Sequence, residues 1–146
     1  MDSMKGHHAR FDEASFARSD AAARDATTKL LNGYGYEVHP HPNKYAQDLV
    51  ATKGDKTFLV ECEHKSLWRN INFPFNSVQL PERKKKFFKE RTLFCMWNKD
   101  FTSAMLFWSD KISHLEPVEV PNRRIRNGEY FFQIPMDLVK QVIVSD

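Results

Sequence analysis

Apolar residues between positions 19 and 32 recur at helical spacing, and from about residue 36 the pattern changes to alternation and short apolar runs. Ser19 is placed to cap a helix running to about Asn32, with Ala23, Thr27 and Leu30 or Leu31 as its buried stripe and Gly33 and Gly35 as its stop. A strand is expected to begin near Tyr36, followed by the extended connection HPHPN, and Tyr45 to Asp48 lead into the next strand. In QDLVATKGDKTFLVECEHK two β-rich runs meet at Gly54 and Asp55. A two-residue turn there sets Lys53 against Lys56 and carries the register back until Asp48 faces Glu61.

The run SLWRNINFPFNSVQL reads as a loop followed by a short extended piece ending at Leu80. Pro81 suits the first turn of a helix over PERKKKFFKER, with Phe87 and Phe88 turned inward. RTLFCMWN and SAMLFWSD are so continuously apolar that they predict strands covered on both faces. HLEPVEVP reads as a Pro-broken connection, RRIRNGEYFFQI as a hairpin turning at Asn127-Gly128, and PMDLVKQVIV as a short closing helix entered through Pro135. This order predicts an α/β domain over 14–146, one mixed central sheet flanked by helices, after a flexible tail over 1–13.

With 146 residues, 41% of them hydrophobic and 12 of them Phe, the chain can bury a single aromatic-rich core. Its apolar runs are too short to span a bilayer, so no membrane partner is expected. The polar start MDSMKGHHARFDE shows no secretion signal, and Cys62 and Cys95 sit in apolar runs that suit buried, reduced thiols. Both features lead to an expected cytoplasmic or other reducing intracellular location. A net charge of +3 does not by itself imply a nucleic-acid partner. Its distribution says more: residues 81–91 hold six Lys or Arg against two Glu, and NRRIR adds Arg123, Arg124 and Arg126.

The candidate chemistry lies in VECEHK. In a strand Glu61, Glu63 and Lys65 share one face while Val60, Cys62 and His64 take the other. A solvent-facing strand accounts for such a row, but the turn also brings Asp48 opposite Glu61, with Cβ atoms roughly 4.5 to 5.5 Å apart. Two facing carboxylates repel unless a cation lies between them, and a hard divalent ion such as Mg²⁺ prefers such oxygens. An ion held there can polarise a phosphoryl oxygen and acidify a bound water, while a nearby Lys offsets developing charge.

These residues resemble the PD-(D/E)XK nuclease superfamily, whose pattern is a helix, an Asp at the start of one strand, and an acid, any residue and Lys on the next. Gln47-Asp48-Leu49-Val50-Ala51 is similar to the first half-motif and Val60-Glu61-Cys62-Glu63 to the second, and from about Asp20 to Trp108 the element order resembles small Holliday-junction resolvases. The resemblance implies a restriction-endonuclease-like fold and an Mg²⁺- or Mn²⁺-dependent endonuclease acting on DNA rather than RNA, with branched DNA as one target and a homodimer as one assembly. Asp48, Glu61 and the backbone carbonyl of Cys62 would hold the metal. Gln47 stands where Pro is common, and Glu63 where Lys is usual. The missing charge would come from Lys65, which is slightly favoured, or from the following segment with Gln79, Arg83 and Lys84. Gln79, Arg83, Lys84, Arg123 and Arg124 are the expected nucleic-acid contacts, and Glu63 completes the acidic cluster. The alternative is an inactive nuclease-like module that binds nucleic acid or protein.

Many members carry an acid on the first helix, for which Asp20 is a better match than Asp25; acids near a helix start are also stabilising without any catalytic role. His39 and His41 alternate in HPHP but lack the further ligands of a zinc site. Trp68 and Arg69 are suited either to a base and a phosphate or, for Trp68, to the core.

Overall fold

The computed structural model describes residues 2–120 and 128–144, with side chains from residue 18 onward. Helix α1 (Asp2–Gly33) begins well before Ser19, which lies inside it. Ala23, Thr27 and Leu31 form its fully buried stripe, and Leu30 is only half-buried. Past the helix come β1 (Glu37–Pro40), β2 (Leu49–Lys53) and β3 (Lys56–His64). The β2–β3 turn is the one the spacing predicts: Lys53 faces Lys56, Leu49 faces Val60, and Gly54 takes the left-handed φ of +62° that favours glycine.

After β4 (Ser77–Pro81) the basic segment forms a 3₁₀ helix, Glu82–Lys89, with Pro81 as its cap and Phe87 buried. Strands β5 (Thr92–Trp97) and β6 (Ser103–Trp108) follow, then the short α2 (Ser109–Ile112). β7 (Val118–Val120) lies in the stretch expected to be a plain connection, and it pairs antiparallel with β8 (Glu129–Pro135). The turn between them, with Asn127, Arg123 and Arg124, lies outside the described residues.

The expected closing helix is replaced by one 3₁₀ turn, Met136–Leu138, and a strand, β9 (Lys140–Ile143), paired with β6. Half-buried Gln141 and Val142 place their backbone on the open edge of β6, and the ladder bonds gained there outweigh local helix propensity.

The central sheet has the order β1-β2-β3-β5-β6-β9 and is antiparallel except for the β3–β5 pair. Its α1 face buries Leu49, Ala51, Phe58, Val60, Cys95 and Trp97. The opposite face is covered largely by a second sheet, β4-β8-β7, rather than by helices alone. There Phe94, Met96, Met105 and Phe107 meet Val78, Leu80, Phe132 and Ile134. This double covering explains why every residue of β5 is buried. Each large apolar side chain so enclosed contributes about 1.5–3 kcal/mol relative to exposure.

Thr27 ties α1 to the sheet. Its hydroxyl donates to the Ala23 carbonyl at 2.7 Å and accepts from the Trp97 indole at 2.8 Å. The free Cys62 and Cys95 lie beside it on paired strands, and burial pushes the Cys95 thiol up to about 12 and the Cys62 thiol well above its ordinary range. Both are thiols rather than nucleophilic thiolates.

Candidate active site

The site forms where β2 begins, because Asp48 is held from two directions. Its backbone carbonyl accepts the His41 amide at 3.0 Å. Its Oδ2 accepts the backbone N–H of Cys62 at 2.9 Å, which locks the carboxylate against β3 between Glu61 and Glu63.

Glu61 points away from α1, as alternation requires, and is 8% exposed. Its Oε2 pairs with the Lys84 ammonium at 2.5 Å. Its Oε1 is buried with no hydrogen-bond partner among the described residues. Burial, first, and the Asp48 carboxylate, second, raise its pKa to about 7, opposed by Lys84. The facing acids that the turn predicts are therefore close enough to perturb each other.

Lys84 reaches Glu61 from the 3₁₀ helix, which is anchored through Gln47. The Gln47 amide, 5% exposed, donates to the Thr92 hydroxyl at 3.0 Å. That hydroxyl lies 2.9 Å from the Phe87 carbonyl at the far end of the helix. Gln47 thus links the start of β2 to the element carrying Lys84, a role with no signal in the sequence beyond its position next to Asp48.

The remaining candidates lie around this cluster. Glu63 and Lys65 pair with each other at 3.1 Å, each about one third exposed. Asp20 lies on the exposed rim of α1; partial burial, first, and Asp48, second, hold its carboxyl above the usual range, whereas Arg24 and Lys84 draw it down. Asp25 is exposed. Gln79 and Arg83 are exposed on β4 and the 3₁₀ helix, flanking Lys84. Trp68 is 2% exposed and donates its indole N–H to the Asn72 carbonyl, so it is a core residue and offers no stacking face. His64 is half-buried against Phe101, their ring centroids 4.7 Å apart.

The donor set fits a hard divalent ion. Asp48 and Glu61 supply carboxylate oxygens, and Glu61 Oε1 is a buried acceptor with no donor among the described residues. Among the described residues no three His, Cys, Asp or Glu side chains form a ready-made cage. Mg²⁺ commonly binds through one or two carboxylates and keeps several waters, so a full cage is not required.

The fold is similar to that of Hjc, a Holliday junction resolvase from the archaeal hyperthermophile Archaeoglobus fulgidus, with 12% sequence identity over 82% of this chain and 85% of that one and a TM-score of 0.53. A bacterial homing endonuclease is similar at 12% identity over 88% of this chain and 75% of that one, with a TM-score of 0.46. No protein-family model matches the sequence, and no curated protein matches it. The chain therefore has a restriction-endonuclease-like fold, the fold of the PD-(D/E)XK nucleases. Among the described residues no helix is long and apolar enough to cross a membrane.

Proposed function

We propose that this chain is a divalent-metal-dependent endonuclease that hydrolyses DNA phosphodiester bonds. The observation that carries the reading is the cluster of Asp48, Glu61 and Lys84: an acid at the start of β2, an acid on β3 and a cation from a third element, with Glu61 Oε1 buried and unpartnered among the described residues. A nuclease fold supports it. DNA, and branched DNA in particular, is favoured by the likeness to a junction resolvase.

Asp48, Glu61 and the Cys62 carbonyl would hold Mg²⁺ or Mn²⁺. The ion would supply Lewis acidity toward a phosphoryl oxygen and a more acidic water. The protein's own part is electrostatic. Lys84 sets a positive charge at the edge of the acids, where negative charge grows as the phosphoryl group reacts. Asp48 is fixed by the Cys62 amide before substrate arrives, so it need not reorganise. Gln79, Arg83 and Lys65 lie on the surrounding surface, where phosphates would contact them.

A second reading, a non-catalytic nucleic-acid-binding module, is favoured by Glu63 in the position of the usual Lys and its pairing with Lys65. Incubation with single-stranded, duplex and branched DNA and with RNA, with and without Mn²⁺, separates the two. Cleavage by the unmodified chain only with a divalent ion, reduced about 100-fold or more in Glu61→Ala, supports the nuclease. Nucleic-acid binding without cleavage under Mg²⁺ or Mn²⁺ establishes the second reading instead.

A further inference from the structure

A cleft of about 520 Å³ opens beside the site, lined by Lys65, Leu67, Phe73, Phe75, Gln79 and Gln133 among others. Its floor is an aromatic chain. Buried Trp68 meets Phe73 edge-on at 5.3 Å, and Phe73 meets Phe75 at 5.5 Å. Phe75 at the end of the chain is 67% exposed, and Leu67 is 87% exposed.

The loop carrying these side chains is pinned rather than loose. The Trp68 carbonyl accepts the Lys99 amide at 2.7 Å, and the Asn70 and Ile71 carbonyls accept the side-chain amides of Asn98 at 3.2 Å and Gln141 at 2.7 Å. A large aromatic ring is thus held in solvent by a preorganised loop, which lowers the ordering cost of binding.

The rim is amide-rich. Gln79 and Gln133 face each other across the β4–β8 pair, so both side chains project to the same side. Asn76 adds a third amide, and among the described residues Lys65 is the only charged side chain on the lining. Side-chain amides present a donor and an acceptor together, the pattern that matches the edge of a nucleobase. An aromatic face with amides around it, beside a lysine already paired with Glu63, suits the face and edge of an uncharged base better than a charged peptide.

We propose that this cleft binds an unpaired nucleobase, stacked on Phe75 and contacted at its edge by Gln79 and Gln133. The proposal rests on the nuclease reading and narrows it: the substrate carries an unstacked nucleotide near the scissile bond. A base inside a duplex exposes only its groove edges and must leave the stack to meet an aromatic face.

The test uses the full chain in EDTA with two DNA probes, a continuous duplex and the same duplex with a bulged 2-aminopurine. Phe75→Ala should weaken binding of the bulged probe about tenfold and abolish its fluorescence quenching, with duplex affinity changed less than about twofold. Phe75→Tyr should stay within about twofold of the unmodified protein, and Phe75→Leu should not. Thermal melting of each variant establishes that the fold is intact. Bulged-probe affinity insensitive to Phe75→Ala, or restored as fully by Leu as by Tyr, overturns the proposal; the latter marks an apolar docking patch. Phe75-dependent quenching in a chain that cleaves nothing with Mn²⁺ would retain the base cleft and remove the nuclease reading. Mn²⁺-dependent cleavage without any Phe75 effect would do the reverse, and no binding of either probe overturns the cleft.

Discussion

The backbone amide of Cys62 donates to the Asp48 carboxylate at 2.9 Å, so the residue between Glu61 and Glu63 fixes the acid on the neighbouring strand. The bond is charge-assisted, and such bonds are worth about 1.5–3 kcal/mol. It also separates two roles on β3: the odd-numbered side chains face the candidate site while one even-numbered backbone group orients Asp48. Asp48 can then be probed apart from the Glu61–Lys84 pair, because a different contact holds it.

Glu61 makes stability depend on pH. Its folded pKa of about 7 lies above the ordinary 4.5, so its contribution is fully present below about pH 4.5 and is lost as pH rises through about 7. Glu61→Gln removes that loss. Urea unfolding should find the variant more stable than the unmodified chain by about 3 kcal/mol at pH 8, the gap closing by pH 4.5. Parallel stability curves across that range would show that Glu61 is not held above its ordinary value.

The two candidate lysines should separate in kinetics. Lys84 contacts Glu61 directly, whereas Lys65 pairs with the more exposed Glu63. Lys84→Met should lower Mn²⁺-dependent DNA cleavage about 100-fold or more, and Lys65→Met only a few-fold. Single-turnover rates on one DNA substrate provide the comparison, and the reverse ranking would return the catalytic role to Lys65.

Gln47 is expected to act through position. Gln47→Ala deletes the link to Thr92 and should cost about 1–2 kcal/mol of stability. With the 3₁₀ helix less firmly held, kcat should fall while KM for DNA stays within about twofold, because no substrate contact is removed. A matched rise in KM would mean that Gln47 serves binding.

The thiols should be inert in the native protein. Cys62 and Cys95 are buried and held protonated, so a thiol-specific chromophore at pH 8 should label neither without urea and both with it. Rapid labelling under native conditions would show that this side of the sheet opens.

Sequence carries the parts of this structure that local geometry determines. The Gly54–Asp55 turn sets its own register from Lys53–Lys56 to Leu49–Val60, and Asp48 and Glu61 are the next residues along each chain. The stripe of Ala23, Thr27 and Leu31 follows from helical spacing in the same way. What depends on distant pairing is hidden. β4 and β8 pair across a long intervening stretch of chain, their nearest partners in sequence being Pro81 and Phe131, so the second sheet has no local signature. The run at Lys140–Ile143 is too short for its periodicity to distinguish helix from strand. Lys84 looks like one of four consecutive basic residues, and its pairing with Glu61, 23 positions away, has no local signal.

The parallel pairing of β3 with β5 has a topological consequence. Parallel neighbours cannot be joined by a tight hairpin, so the chain must make an excursion between them. Here that excursion supplies Phe75, Gln79, Arg83 and Lys84, whereas Asp48 and Glu61 belong to the compact hairpin before it. Lengthening the detour between Leu67 and Asn76 would leave the Glu61–Lys84 pair in place, since closing a longer surface loop costs little. The candidate site is therefore assembled from both parts of one continuous stretch, its acids from the hairpin and Lys84 from the detour that follows.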